Sequence, residues 1–132
     1  MDFLNFDVDD LKLDQFIDFN LEGRLYTFRF RHNSRDGWYI SLYDPELLDR
    51  ESVDNKAALL YGEVKIMPSQ NILKFTASDK LPTGYLSFTD TELRTVEDYV
   101  MPSVDNIGTG KRFILKYVTR ADMESLGLEW LL

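Results

Sequence analysis

Four arginines, three tyrosines and the chain's single histidine fall within one stretch, Arg24 to Tyr43, of a 132-residue sequence. Arg29 and Arg31 are two apart, so on a strand they share a face, where guanidiniums grip a carboxylate or a phosphate through paired hydrogen bonds. Arg24 and Arg35 extend the basic strip at either end. Tyr39 and Tyr43 have one parity and the opposite parity to Trp38. Such rings stack on a sugar or a nucleobase, or supply contact area in a subunit interface, where tyrosine is enriched. The interface is the reading favoured here, with Arg29, Arg31, Arg35, Tyr39 and Tyr43 as its candidate residues.

Catalytic chemistry finds less to work with. His32 ends an alternating run beside a turn. Ser34 and Asp36 lie within five positions of it, a spacing that turn bonding explains better than a nucleophilic triad. Asp7, Asp9 and Asp10 lack the glycine and the twelfth-position glutamate of a calcium loop. Gly108-Thr109-Gly110-Lys111-Arg112 has arginine where a phosphate loop needs a hydroxyl, and it leads into a strand pattern rather than a helix. The sequence has no cysteine, which removes disulfides, thiolate zinc sites and cysteine nucleophiles together. The chain therefore reads as a non-enzyme with no catalytic residue, no metal site and no cofactor. Its net charge of −8 opposes binding to a polyanion. No apolar run reaches the roughly 18 residues that cross a bilayer, and the acidic start is unlike a signal peptide. Neither nucleic acid nor membrane is expected as a partner.

The elements that would position these residues are strands. Tyr26, Phe28 and Phe30 alternate with Thr27, Arg29 and Arg31; Trp38, Ile40 and Leu42 alternate with Tyr39, Ser41 and Tyr43. With Asn33 to Gly37 as the connection, this predicts an antiparallel hairpin with one buried face. Gln15–Leu21 is a strand joined to it through Glu22-Gly23. Pro45 ends pairing after Tyr43 and opens a charged excursion to Lys56, with a helical turn over Pro45–Arg50. Ala57–Ile66, with an irregularity at Gly62, Ile72–Thr76, Tyr85–Thr89 and Lys111–Val118 complete about seven strands. Thr91–Val100 fits helix or extended chain. Thr119 reads as a helix cap. Regular short strands with turn punctuation predict an all-β, mostly antiparallel barrel or sandwich over residues 15–118. A 1–14 acidic arm precedes it, ordering against its own sheet or a partner, and a 119–132 helical, apolar tail follows. Leu128, Trp130, Leu131 and Leu132 need a cover, either the domain's own end or a neighbour. Because Gly127 breaks the helix, the neighbour is favoured and the four join the candidate interface.

Arg29-Phe30-Arg31-His32-Asn33-Ser34-Arg35-Asp36-Gly37-Trp38-Tyr39-Ile40-Ser41-Leu42-Tyr43-Asp44 resembles the baseplate plug proteins of contractile-tailed phages, a family named from a cyanophage member. In that family a strand runs into a Tyr-Asn-x-Arg-x-Gly/x-Trp turn and then a Trp-x-Leu-x-Leu-x-Asp strand. Here His32 stands where tyrosine is usual, and Tyr43 precedes the aspartate. Leu81-Pro82-Thr83-Gly84 matches the family's Leu-Pro-x-Gly segment. Asp105-Asn106-Ile107-Gly108 and Arg112-Phe113-Ile114-Leu115-Lys116-Tyr117 match an Asp-x-Leu-Gly turn and the strand after it. The likeness covers roughly Gln15 to Val118; the Asp44–Lys56 loop and both termini depart from the pattern. What the resemblance implies is a structural virion protein without enzymatic activity, assembled in the host cytoplasm. It would sit near the tail-tube axis against hub, spike, tube or tape-measure proteins, as a symmetric homo-oligomer, a trimer or a hexamer. The alternative is a small β-barrel module that binds carbohydrate or nucleic acid.

Overall fold

The computed structural model describes residues 2–4, 14–33, 35, 37–52, 55–74, 80–92, 100–103 and 106–132. Most of the expected acidic arm, Ser34 and Asp36, and most of the 91–100 segment lie outside them. Among the described residues there are seven strands: β1 (Asp2–Leu4), β2 (Asp14–Leu21), β3 (Arg24–Asn33), β4 (Gly37–Tyr43), β5 (Leu59–Lys65), β6 (Tyr85–Asp90) and β7 (Phe113–Val118). They form two antiparallel sheets, ordered β2-β3-β4-β5 and β1-β7-β6. Helix α1 (Arg120–Ser125) and a 3₁₀ turn at Glu129–Leu131 follow. The fold is thus mostly antiparallel β with one short helix, and among the described residues no pairing joins the two sheets into a closed barrel.

Period-two alternation builds the larger sheet. Its inner rows are Phe19 and Leu21 on β2, Tyr26, Phe28 and Phe30 on β3, and Trp38, Ile40 and Leu42 on β4, all buried. Leu86 and Phe88 of β6 with Phe113, Leu115 and Tyr117 of β7 complete one core between the sheets. Phe30 and Phe88 meet across it edge to face, 6.0 Å between ring centroids. The β2–β3 loop is the two-residue turn expected, with Glu22 and Gly23 both at positive φ, as a type I′ turn requires. The expected irregularity at Gly62 is a bulge: Ile40 pairs with Val64 and Leu42 with Tyr61, so Gly62 and Glu63 both stand against Ser41. A β-carbon at Gly62 would lie 2.9 Å from the Ile40 carbonyl oxygen and from Ser41 Cα, at φ +114°. Only glycine fits there.

Two expectations change. Of the expected strand Ile72–Thr76, the last two residues lie outside the described ones and Ile72–Lys74 is a turn, because Ile72 and Leu73 are both buried rather than alternating, and the Asn71 side chain accepts from the backbone amides of Leu73 and Leu86. In its place the seventh strand is β1, whose register pairs Asp2 with Tyr117 and Leu4 with Leu115. The helical turn expected after Pro45 is a single one, with the Leu47 and Leu48 amides both donating to the Asp44 carbonyl, and it does not continue into a helix.

The two sheets are tied at one end by a hydrogen bond. The Tyr117 hydroxyl, at the end of β7, donates to the Glu22 carboxylate in the β2–β3 turn and accepts from the Gly84 amide at 3.0 Å. Burial first, and then the bond to Glu22, hold the Tyr117 phenol well above its ordinary range.

Candidate partner interface

Outward-facing residues of the larger sheet form a polar and aromatic surface. Along β2 the outer parity reads Asp14, Phe16, Asp18, Asn20; along β3 it reads Thr27, Arg29, Arg31; along β4, Tyr39, Ser41, Tyr43, with Thr27, Ser41 and Tyr43 buried beneath their neighbours. Register converts this into ion pairs. Arg29 grips Asp14 of β2 with two bonds, Nε–Oδ1 at 2.8 Å and Nη2–Oδ2 at 2.6 Å. Arg31 grips Glu63 of β5 in the same way, at 2.7 and 2.5 Å. The bulge at Gly62 is what brings Glu63 to that position. The hydrogen bond from Arg29 holds the Asp14 carboxyl below its ordinary range, and that from Arg31 does so for Glu63.

Rings fill the gaps between the charges. The Arg31 guanidinium sits over Tyr39, 5.7 Å from the ring centroid. Phe16 is flanked by two guanidiniums, Arg29 at 5.5 Å and Arg50 at 5.7 Å, and meets Tyr43 edge to face at 5.9 Å. Arg50 reaches back from the 44–58 connection to Asp18 at 2.6 Å, and the same Asp18 oxygen accepts from Thr27 Oγ1. Beneath that connection runs a groove of about 760 Å³ with Phe16, Tyr43 and Leu59 as its apolar lining and Arg29, Arg50 and Lys56 as its cations. Asp14 and Glu51 also line it.

The candidate residues therefore do not act as one row. Arg29 and Tyr43 meet in the groove, Arg31 and Tyr39 meet one register step away, and Arg35 lies apart in the β3–β4 turn, its amide donating to Asn33 Oδ1. Asp14, Phe16, Arg50 and Glu63 were missed by sequence reasoning. An aromatic at Phe16 on the acidic parity of β2 is the signal that was there to find. Arg29 and Arg31, placed by parity where they could grip a carboxylate or a phosphate, are engaged by carboxylates of this chain. His32 packs its ring edge to face on Trp38, 5.0 Å between centroids. Among the described residues no group of three or more His, Cys, Asp or Glu side chains is placed to hold a metal ion. No helix among them is long and apolar enough to cross a membrane.

The C-terminal candidates divide. Thr119 caps α1, its hydroxyl accepting from the Asp122 amide, and Met123 is the buried residue of that helix. Tyr85 and Val118 pair with each other on the outer face of the smaller sheet, and Met123 covers them. Leu128, Leu131 and Leu132 are half-buried against that same cluster. Trp130 points the other way and is 71% exposed, more than any other large apolar side chain among the described residues.

A family model described as cyanophage baseplate Pam3 plug gp18 matches residues 1–120. The match takes in all seven strands and stops as α1 begins, so Trp130 lies beyond it. No curated protein and no solved structure matches.

Proposed function

This chain belongs to the cyanophage baseplate plug family, and we propose that it is a hub-associated plug that closes the tail near the tube axis, built as a symmetric ring. Membership makes it a structural component of the virion tail that associates with other tail proteins. The observation that carries the finer reading is the extent of the match, which takes in both sheets and the core between them. Its work in this reading is mechanical: two stiff sheets present fixed outer faces to hub, spike and tube proteins, and no bond is made or broken. The surface described above supports an assembly role, since its ion pairs and the half-buried rings of Phe16 and Tyr39 lie on one sheet face and interfaces favour tyrosine and arginine. The pairing of Arg29 and Arg31 with Asp14 and Glu63 speaks against a nucleic-acid module, whose phosphate contacts need free cations.

The test is co-expression with the hub, spike and tube proteins encoded beside it. Stoichiometric co-purification with one of them, surviving size-exclusion chromatography, is the expected result. Failure to bind any of the three, with micromolar and strongly salt-dependent binding to an oligonucleotide, would replace this reading with the binding module.

A further inference from the structure

We propose that copies of this chain join head to tail, with Trp130 of one copy seated in the Phe16–Tyr43 groove of the next. The proposal rests on the ring-forming reading above for its context and on the following observations for its pairing. Leu128, Leu131 and Leu132 pin the last turn to the domain, and that turn then aims Trp130 outward at 71% exposure. A side chain held out by its own anchors is preorganised for insertion, and tryptophan is among the residues enriched as interface anchors.

The groove fits that anchor. Its about 760 Å³ lies in the range of ordinary binding pockets, about 300–1,000 Å³. It offers ring edges from Phe16 and Tyr43 and guanidinium planes from Arg29 and Arg50, and indole is the best of the aromatic partners for a guanidinium. Charge agrees. Asp122, Glu124 and Glu129 surround the tail against Arg120, whereas the groove is balanced, with Arg29, Arg50 and Lys56 against Asp14, Glu51 and the Asp18 that Arg50 grips. A tail-to-tail dimer would set acid against acid.

Placement decides the symmetry. The tail rests on the outer face of β1-β7-β6, and the groove lies on the outer face of β2-β3-β4-β5. One copy therefore offers the two halves of the contact on opposite sides, which makes the contact heterologous, and heterologous contacts close into rings or run on as filaments.

Sedimentation velocity on the full chain, from about 1 μM to about 1 mM, reads the outcome. Wild type is expected to associate with rising concentration. Trp130→Ala should weaken association by about tenfold or more with the melting curve unchanged; Arg50→Glu should weaken it as much while also lowering Tm, because it breaks the pair with Asp18, and Lys56→Glu serves as a second groove variant. Mixing Trp130→Ala with Arg50→Glu should restore a dimer and nothing larger, because one partner keeps its groove and the other its tryptophan. Wild type that stays monomeric throughout, or Trp130→Ala that assembles as wild type does, overturns the proposal. A monomeric chain that still co-purifies with tail proteins refutes the head-to-tail contact alone. Self-association without capture of any tail protein refutes the plug reading and spares the contact.

Discussion

Replacing Tyr117 with phenylalanine removes one oxygen and should cost far more than a surface hydroxyl. That oxygen donates to the Glu22 carboxylate and accepts from the buried Gly84 amide. A hydrogen bond to a charged group contributes about 1.5–3 kcal/mol, and a buried amide left without an acceptor costs about 1–3 kcal/mol. The two losses share one atom and overlap, so about 3 kcal/mol is the expected total. For 132 residues, an unfolding entropy of about 2.1 cal/mol/K per residue gives about 0.28 kcal/mol per degree. Tyr117→Phe should therefore lower Tm by about 10 °C at pH 7, read by circular dichroism or calorimetry. Glu22→Gln keeps an acceptor and should lose less, and a double-mutant cycle between the two should show coupling. The pH profile adds a sign. The phenol's pKa is raised in the fold, so this contribution is complete below the ordinary value of 10.0 and is lost as pH rises through the folded value. Wild type should fall towards the variant in strong alkali. A variant melting within about 2 °C of wild type at pH 7 would show that the bond does not hold the sheets together.

Trp38→Ala should cost about 3–5 kcal/mol, since the side chain is 1% exposed in the central hairpin; a melt barely shifted would contradict its place in the core. Gly84→Ala should destabilise by about 1–3 kcal/mol or leave the chain insoluble, because the added methyl would overlap the Val118 carbonyl oxygen and the Tyr117 ring; chemical denaturation measures it. Asp14 and Glu63 have lowered pKa values, so the stability they add is present above their ordinary values of 3.8 and 4.5 and is lost as pH falls through the folded ones. Their pairs are exposed by between 32% and 44%, so Asp14→Asn with Glu63→Gln should flatten the acid limb of the Tm–pH profile by a small amount; an unchanged limb would mean that solvent screens them out.

Local patterns were legible where one face of a strand is buried along its length. β2, β3, β4 and β7, the Glu22-Gly23 turn and the Thr119 cap follow from period two, turn chemistry and capping. β1 has three residues, too few to show a period, and its partner lies at the far end of the sequence. The 72–74 turn is set by the Asn71 side chain reaching β6, a long-range bond that no local pattern announces. The interface shows the same division. Parity placed Arg29 and Arg31 together on the outer face, while their carboxylate partners depend on strand register and on the bulge at Gly62. The tail's composition called for a cover. Which of its residues would receive one depends on the outer face of the β6–β7 pair, which supplies Tyr85 and Val118 for the leucines and leaves the tryptophan out.

The pairing of β1 with β7 also governs the order in which this protein can come into being. Asp2 finds its partner in Tyr117, so during synthesis β1 waits for β7. Tyr117 is also the residue that clasps Glu22, 95 positions away. The β2–β3–β4 part of the larger sheet can zip through successive hairpins as it is made. Its inner row of phenylalanines and Trp38 stays uncovered until β6 and β7 arrive. Non-local closure of this kind folds slowly and leaves apolar strands open to other chains in the meantime. The nascent protein is thus most exposed to aggregation during the synthesis of its second half, and a slowed refolding phase should respond to substitutions in β7 more than to those in the hairpin.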